Sequence, residues 1–179
     1  MPLPNVPTTH LYLSLATLHF MSSNAAYPMW KNGLLPSNSN LQTEAQALEK
    51  QLLQAKMAEL RNYVTQARNG FSHIYGLAAP DDAEAKEQVT QILSAMIYGR
   101  DGFFFVYDYD GTNLVSPRQT DYINKNWSGL TDSRGTPVVD EFIRLARQGA
   151  GWHTFMWEKP STGEEAQMVA YVMGLQDWQ

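Results

Sequence analysis

The run from Tyr98 to Pro117, YGRDGFFFVYDYDGTNLVSP, decides the fold. Phe103, Phe105, Tyr107 and Tyr109 share one parity, and Phe104, Val106 and Asp108 take the other. Side chains on a strand point alternately to its two faces, so the run predicts a strand with an aromatic row on one face and a second row on the other. Asp110-Gly111 supplies the positive-φ positions of a tight turn, and Thr112 to Ser116 is expected to return antiparallel. This hairpin is expected near the centre of a sheet.

Downstream, Arg118 to Ser133 reads as a long polar loop pinned by Tyr122 and Trp127, and ordered loops of that length are more often functional than connective. Asp132 to Gly135 is a turn. Thr136 is placed to cap a helix with Pro137 at its first position, and Val139, Phe142, Ile143, Leu145 and Ala146 give it a buried side. Trp152 to Glu158 and Ala166 to Met173 then read as an antiparallel pair joined by the turn Lys159 to Gly163. Such a sheet leaves an edge uncovered, so a closing strand is expected beyond this sequence.

Upstream, Leu41, Ala45, Leu48 and Leu52 follow a 4-3-4 spacing that Leu53, Met57, Leu60, Val64, Ala67, Phe71 and Ile74 continue with the stripe moved by one residue. One helix over about 41–76 is expected, roughly 50 Å long at 1.5 Å per residue. That exceeds what a small domain needs, so part of it should project or pair with another helix. Asp81, with Glu84 three residues on, is expected to cap a second helix over about 81–97, with Val89, Ile92, Leu93 and Met96 inward. Residues 1–40 carry Pro2, Pro4, Pro7, Pro28 and Pro36 and read as a weakly specified lead-in with a short helix over Leu11 to Phe20.

Length and charge narrow the possibilities. The 179 residues suit one domain with a real core plus an extended element. A net charge of -5 with scattered basic residues argues against nucleic acid. Without cysteine there is no disulfide framework or thiolate site, a composition that suits an oxidising compartment. No signal peptide is readable, and Leu11 to Trp30 is too polar to span a membrane, so any membrane segments are expected outside this chain.

Catalytic signatures are missing: no nucleophile elbow, phosphate-binding loop, zinc-protease helix or dinucleotide fingerprint occurs, and His10, His19, His73 and His153 are too dispersed for a metal cluster. No enzyme activity, cofactor or metal is expected of this chain. Asp108 and Asp110 begin like a calcium loop but lack its closing Glu, and a hairpin turn accounts for both. Phe103, Phe105, Tyr107, Phe155, Trp157 and Tyr171 can project from one sheet and line a small-molecule pocket, although aromatics at strand spacing are more often core.

The run Tyr98 to Pro117, then Leu130-Thr-Asp-Ser-Arg-Gly, Gly149-Ala-Gly-Trp, Trp157-Glu-Lys-Pro and Ala170-Tyr-Val, in that order, resembles the single Cache domain of bacterial sensor histidine kinases and diguanylate cyclases. The resemblance covers about Leu41 to Gln179. It implies an α+β Cache fold, with the long N-terminal helix and the second helix packed on a PAS-like antiparallel sheet over about 98–179. It further implies the periplasmic or extracellular portion of an inner-membrane receptor. Such a module binds a small organic acid or similar metabolite and passes a helix displacement to a cytoplasmic output domain; a homodimer through the long helix is expected from that helix's length and spacing.

Four positions depart from that family's pattern. It often has Arg where Ile97 stands, Tyr at Phe103, His where Ser116 stands and Lys near Met168. Charged donors are what make a carboxylate worth desolvating, so the loss implies a pocket retuned from acids toward a neutral metabolite or an aromatic molecule, with Arg118 as a candidate replacement cation should acids still bind. Ser116, Arg118 and Met168 thus join the aromatic set as candidate ligand residues. The alternative is a non-binding Cache-like scaffold that only dimerises or spaces.

Overall fold

The computed structural model describes residues 16–20, 39–79 and 81–175. In chain order these form β1 (Ala16–Phe20), α1 (Ser39–Gly70), α2 (Ser72–Tyr75), α3 (Ala83–Ser94), β2 (Ile97–Tyr98), β3 (Gly102–Tyr107) and β4 (Asn113–Val115). A 3₁₀ turn (Thr120–Tyr122), α4 (Val139–Arg147), β5 (Ala150–Glu158) and β6 (Glu165–Met173) complete the set. One antiparallel sheet runs in the order β2-β3-β1-β6-β5, and β4 also pairs with β3.

Alternation along β3 divides the core between the two faces of this sheet, as its parity predicted. Phe104 and Val106 join Leu60, Val64, Ala67 and Phe71 of the long-helix side and Val89 and Leu93 of α3 in one buried cluster. Phe103, Phe105 and Tyr107 join Val139, Phe142, Leu145 and Ala146 of α4 in the other. Each large side chain fully buried in this way contributes roughly 1.5–3 kcal/mol. Turn chemistry fixes the hairpin: Asp108 Oδ1 accepts from Asp110 N (3.1 Å) and Thr112 N (2.7 Å), and Gly111 adopts φ 92°. Asp108 thus closes the turn by accepting from backbone donors.

Helix boundaries differ from expectation in small, explicable ways. The long helix ends at Gly70, where Phe71 (φ -113°, ψ 11°) breaks the helical geometry before α2. Residues 43–52 are exposed throughout, so the first half of α1 projects beyond the body. Asp82 rather than Asp81 caps α3, its Oδ1 accepting from Ala85 N at 2.9 Å. α3 ends at Ser94, because Ile97–Tyr98 pairs with Phe103 and Gly102 as β2. α4 begins at Val139, after Thr136 N is taken by Asp132 instead of starting a helix.

The larger correction concerns the sheet. The expected helix over 11–20 is overturned where the structure describes it: residues 16–20 are a strand, and 11–15 lie outside the described residues. β1 sits between β3 and β6, pairing Ala16 with Phe105 and Leu18 with Ala170. It thus takes an interior position in the sheet, whereas the strand expected from sequence was one closing an edge. Ala-Thr-Leu-His-Phe alternates at period two, and such a run satisfies two neighbouring ladders at once.

Candidate functional site

The loop after β4, the turn before α4 and the tip of the β5–β6 hairpin wall a cleft of about 450 Å³. Two of its lining residues, Trp157 and Leu130, also pack on the α4-side core, which places the cleft at the margin of that face.

Its aromatic wall is built by mutual constraint. The 3₁₀ turn brings Tyr122 onto Trp127, the rings stacked at 4.3 Å and 22°, and Trp127 Nε1 donates to Tyr122 O at 3.0 Å. Tyr122 in turn lies 5.7 Å from Trp157. Trp157 Nε1 donates to Gln119 Oε1 at 3.1 Å, so the polar edge of the indole is satisfied within the protein. What it offers the cleft is aromatic surface. Burial, reinforced by the charge of Glu158, raises the pKa of the Tyr122 phenol, which stays neutral and able to donate a hydrogen bond.

Asp132 forms the floor's fixed point. Its Oδ1 accepts from Arg134 N (2.9 Å) and Thr136 N (2.7 Å), and its Oδ2 from Met156 N (2.8 Å), tying the turn before α4 to β5. Desolvation pushes this carboxyl upward, but the three backbone donors outweigh it and hold the pKa below the usual aspartate value. Asp121, Glu158 and Glu165 line the same cleft, the two glutamates directly opposite one another in the β5–β6 ladder. Among the described residues none of these carboxylates is in a salt bridge. Arg118 is the one basic side chain in the lining, and it donates from Nε to Gly102 O (3.2 Å) and from Nη2 to Gly99 O (3.1 Å).

Of the residues singled out from sequence, Arg118 and Trp157 line this cleft. Phe103, Phe105, Tyr107, Phe155 and Met168 come together as expected, but as a buried cluster packed on α4. Burial raises the Tyr107 phenol pKa well above its usual value, as expected of a core tyrosine. Ser116 is buried in the loop, its carbonyl accepting from Gln119 N at 3.0 Å. Tyr171 lies on the opposite face of the sheet, its ring 4.6 Å from Trp152 and its hydroxyl 3.5 Å from Arg61 Nε. The sequence reading missed Gln119, Asp121, Leu130, Asp132 and Glu165 as lining residues, because most stand in loops without periodicity; the length of the 118–133 loop was their one signal.

Comparison with known proteins follows the same lines. Residues 52–179 match the family described as Single Cache domain 2. The chain is 39% identical over 172 residues to the sensor histidine kinase MctS of Rhizobium johnstonii, covering 94% of this chain and 36% of that protein. It is 28% identical over 131 residues to the methyl-accepting chemotaxis protein McpP of Pseudomonas putida, covering 71% of this chain and 24% of that one. The chain thus spans about a third or less of these curated relatives. Among solved structures, a methyl-accepting chemotaxis protein from Vibrio parahaemolyticus superposes with a TM-score of 0.60 at 23% identity, over 73% of this chain and 95% of that one. A Cache chemosensory domain described for carboxylic acid recognition superposes with a TM-score of 0.57 at 19% identity, over 70% of this chain and 97% of that one. These likenesses agree with the helix-and-sheet architecture. The chain belongs to the Single Cache domain 2 family, the sensor fold it has in common with histidine kinases and chemoreceptors.

Proposed function

We propose that this chain is the extracytoplasmic ligand-binding domain of a bacterial signal-transduction receptor, taking a small metabolite in the cleft beside Trp157 and Tyr122 and passing a helix displacement to a cytoplasmic output domain. No described helix is long and apolar enough to cross a membrane, so on this reading the membrane segments lie elsewhere in the receptor. The Cache module itself carries no catalysis; any kinase activity resides in the output domain.

The observation that carries the reading is the cleft, an open depression of about 450 Å³ in which an aromatic wall faces several convergent polar groups that a small molecule could meet. Its charge supports a choice of ligand. Four carboxylates line it against one guanidinium whose Nε and Nη2 are engaged with backbone carbonyls. An organic acid would enter against like charge, and an uncharged or amine-bearing molecule would not. The closing test is a thermal-shift screen of the chain against small carboxylates, uncharged metabolites and amines. A ligand at 100 times its Kd stabilises by about 2.7 kcal/mol. A shift with uncharged or amine compounds supports the reading; a shift with carboxylates alone overturns the choice of ligand, and silence throughout weakens the sensor itself.

A second reading is a non-binding scaffold that dimerises through α1. It is favoured by the filling of the aromatic face with α4, and by Leu48 and Leu52, which are 57% and 59% exposed on the projecting helix.

A further inference from the structure

The cleft borders the α4 face of the sheet and α1 packs on the other, so an event in one reaches the other only through the strands or around their edge. A continuous set of contacts goes around the edge. Arg118, in the cleft lining, holds Gly102 O and Gly99 O with two prongs of its guanidinium. Those carbonyls bracket the short connection between β2 and β3. Asp101, in the same connection, accepts from Ser161 N (2.9 Å) and Ser161 Oγ (3.0 Å) in the β5–β6 turn, so both walls of the cleft are fastened to it.

Beyond the connection the contacts pass to the helix face. Tyr98 pairs with Gly102 across the ladder, and its ring occupies the space a Cβ on Gly102 would need. That close approach requires glycine. The Tyr98 ring lies 4.6 Å from Tyr63 of α1 and 5.8 Å from Phe104. Tyr63 Oη donates to Glu59 Oε1 at 2.8 Å, one turn earlier on the helix.

We infer that Arg118 is a positioning residue that couples the cleft to α1: its fork holds the 99–102 connection in register with the cleft wall, and Tyr98 delivers any displacement of that connection to Tyr63. A planar guanidinium suits the task, because its donors have a fixed geometry that a lysine ammonium lacks. The inference rests on the sensor reading for what moves the cleft wall in the cell. The coupling itself belongs to the free chain, and a contiguous set of contacts becomes a pathway only when coupling is measured.

The experiment is hydrogen exchange on the ligand-free 179-residue chain, comparing wild type with Arg118→Ala, Tyr98→Leu and the double variant. Arg118→Ala is expected to speed exchange by about tenfold in residues 97–103 and again around Tyr63 in residues 59–67, within the range for residues sharing one network. Residues 139–147 of α4 should not change. In the Tyr98→Leu background the same substitution should no longer affect 59–67, a non-additivity that a mere local staple would not produce. Arg118→Lys, which keeps the charge and loses the fork, should give the same pattern with smaller amplitude and decides the matter if Arg118→Ala does not fold. Three results overturn the inference: acceleration confined to 97–103 and the 116–122 loop, acceleration that includes α4, or additive effects in the double variant. Because no ligand enters the measurement, its failure is separable from failure of the sensor reading, which the thermal-shift screen tests.

Discussion

The ring of Phe142 lies 4.9 Å from that of Phe105, tilted by 33°, so α4 seats an aromatic side chain against the aromatic face of β3. Phe142 also meets Tyr107 at 6.2 Å and Phe155 at 5.4 Å. This face is occupied by the protein's own side chains, which leaves the cleft at the margin where Trp157 stands. Phe142→Ala should therefore cost about 3–5 kcal/mol, the usual figure for emptying a phenylalanine site in a packed core. Urea denaturation measures it. The vacated space is lined by aromatic and aliphatic groups, so benzene should restore part of the loss in the variant and do nothing for the wild type. A cost below about 1 kcal/mol would mean that α4 is loosely held and the face is open.

Trp157 stands between that core and the cleft, its ring 5.8 Å from Phe155 and 5.7 Å from Tyr122. Trp157→Ala should abolish the thermal shift given by whichever compound scores in the screen while leaving the far-ultraviolet dichroism of the helices unchanged. The helices pack chiefly through clusters on the two faces, and this residue is only partly buried. Unchanged binding by the variant would place the ligand elsewhere.

The face-splitting of β3, the Asp132 turn, the stacked anchors Tyr122 and Trp127 and the inward side of α4 were all legible, because each depends on local periodicity or turn chemistry. What escaped the sequence has physical reasons. β1 is five residues whose partners, Phe105 and Ala170, are far along the chain, so only the finished sheet selects it. β6 is buried on both faces from Met168 to Val172, and a run without alternation does not reveal which parity meets which helix. Tyr171 was consequently grouped with Phe155, although the register pairs it with Trp152 on the α1 side. The cleft's polar lining comes from loop residues such as Gln119 and Asp121, whose convergence depends on tertiary closure.

Asp132 gives the fold a dependence on acid. Burial opposes its charge, but hydrogen bonds from Met156 N, Thr136 N and Arg134 N depress its pKa in the folded state. A depressed carboxyl stabilises the fold fully above its unfolded value, about 4, and that stabilisation is lost as pH falls through the lower folded value. Asp132→Asn should thus be less stable than wild type at pH 7, with the difference shrinking as the solution is acidified below that range. Denaturant midpoints of the two proteins across pH measure this. A gap that stays constant into acid would show that the contribution comes from geometry rather than charge.

Leu48 and Leu52 sit one turn apart on the part of α1 that clears the body, 57% and 59% exposed. An isolated apolar pair on a surface helix needs no explanation, but this pair continues the 4-3-4 stripe begun at Leu41 and Ala45, which is the spacing of a helix-pairing seam. Substituting both by Gln should remove association of the chain measured by sedimentation velocity over a concentration series. It should change the denaturation midpoint of the body little, because surface substitutions away from packed features usually fall within about 0.5 kcal/mol. If the wild-type chain sediments as a monomer at every concentration, α1 is not a sufficient dimer seam, and the scaffold reading loses the observation that favours it.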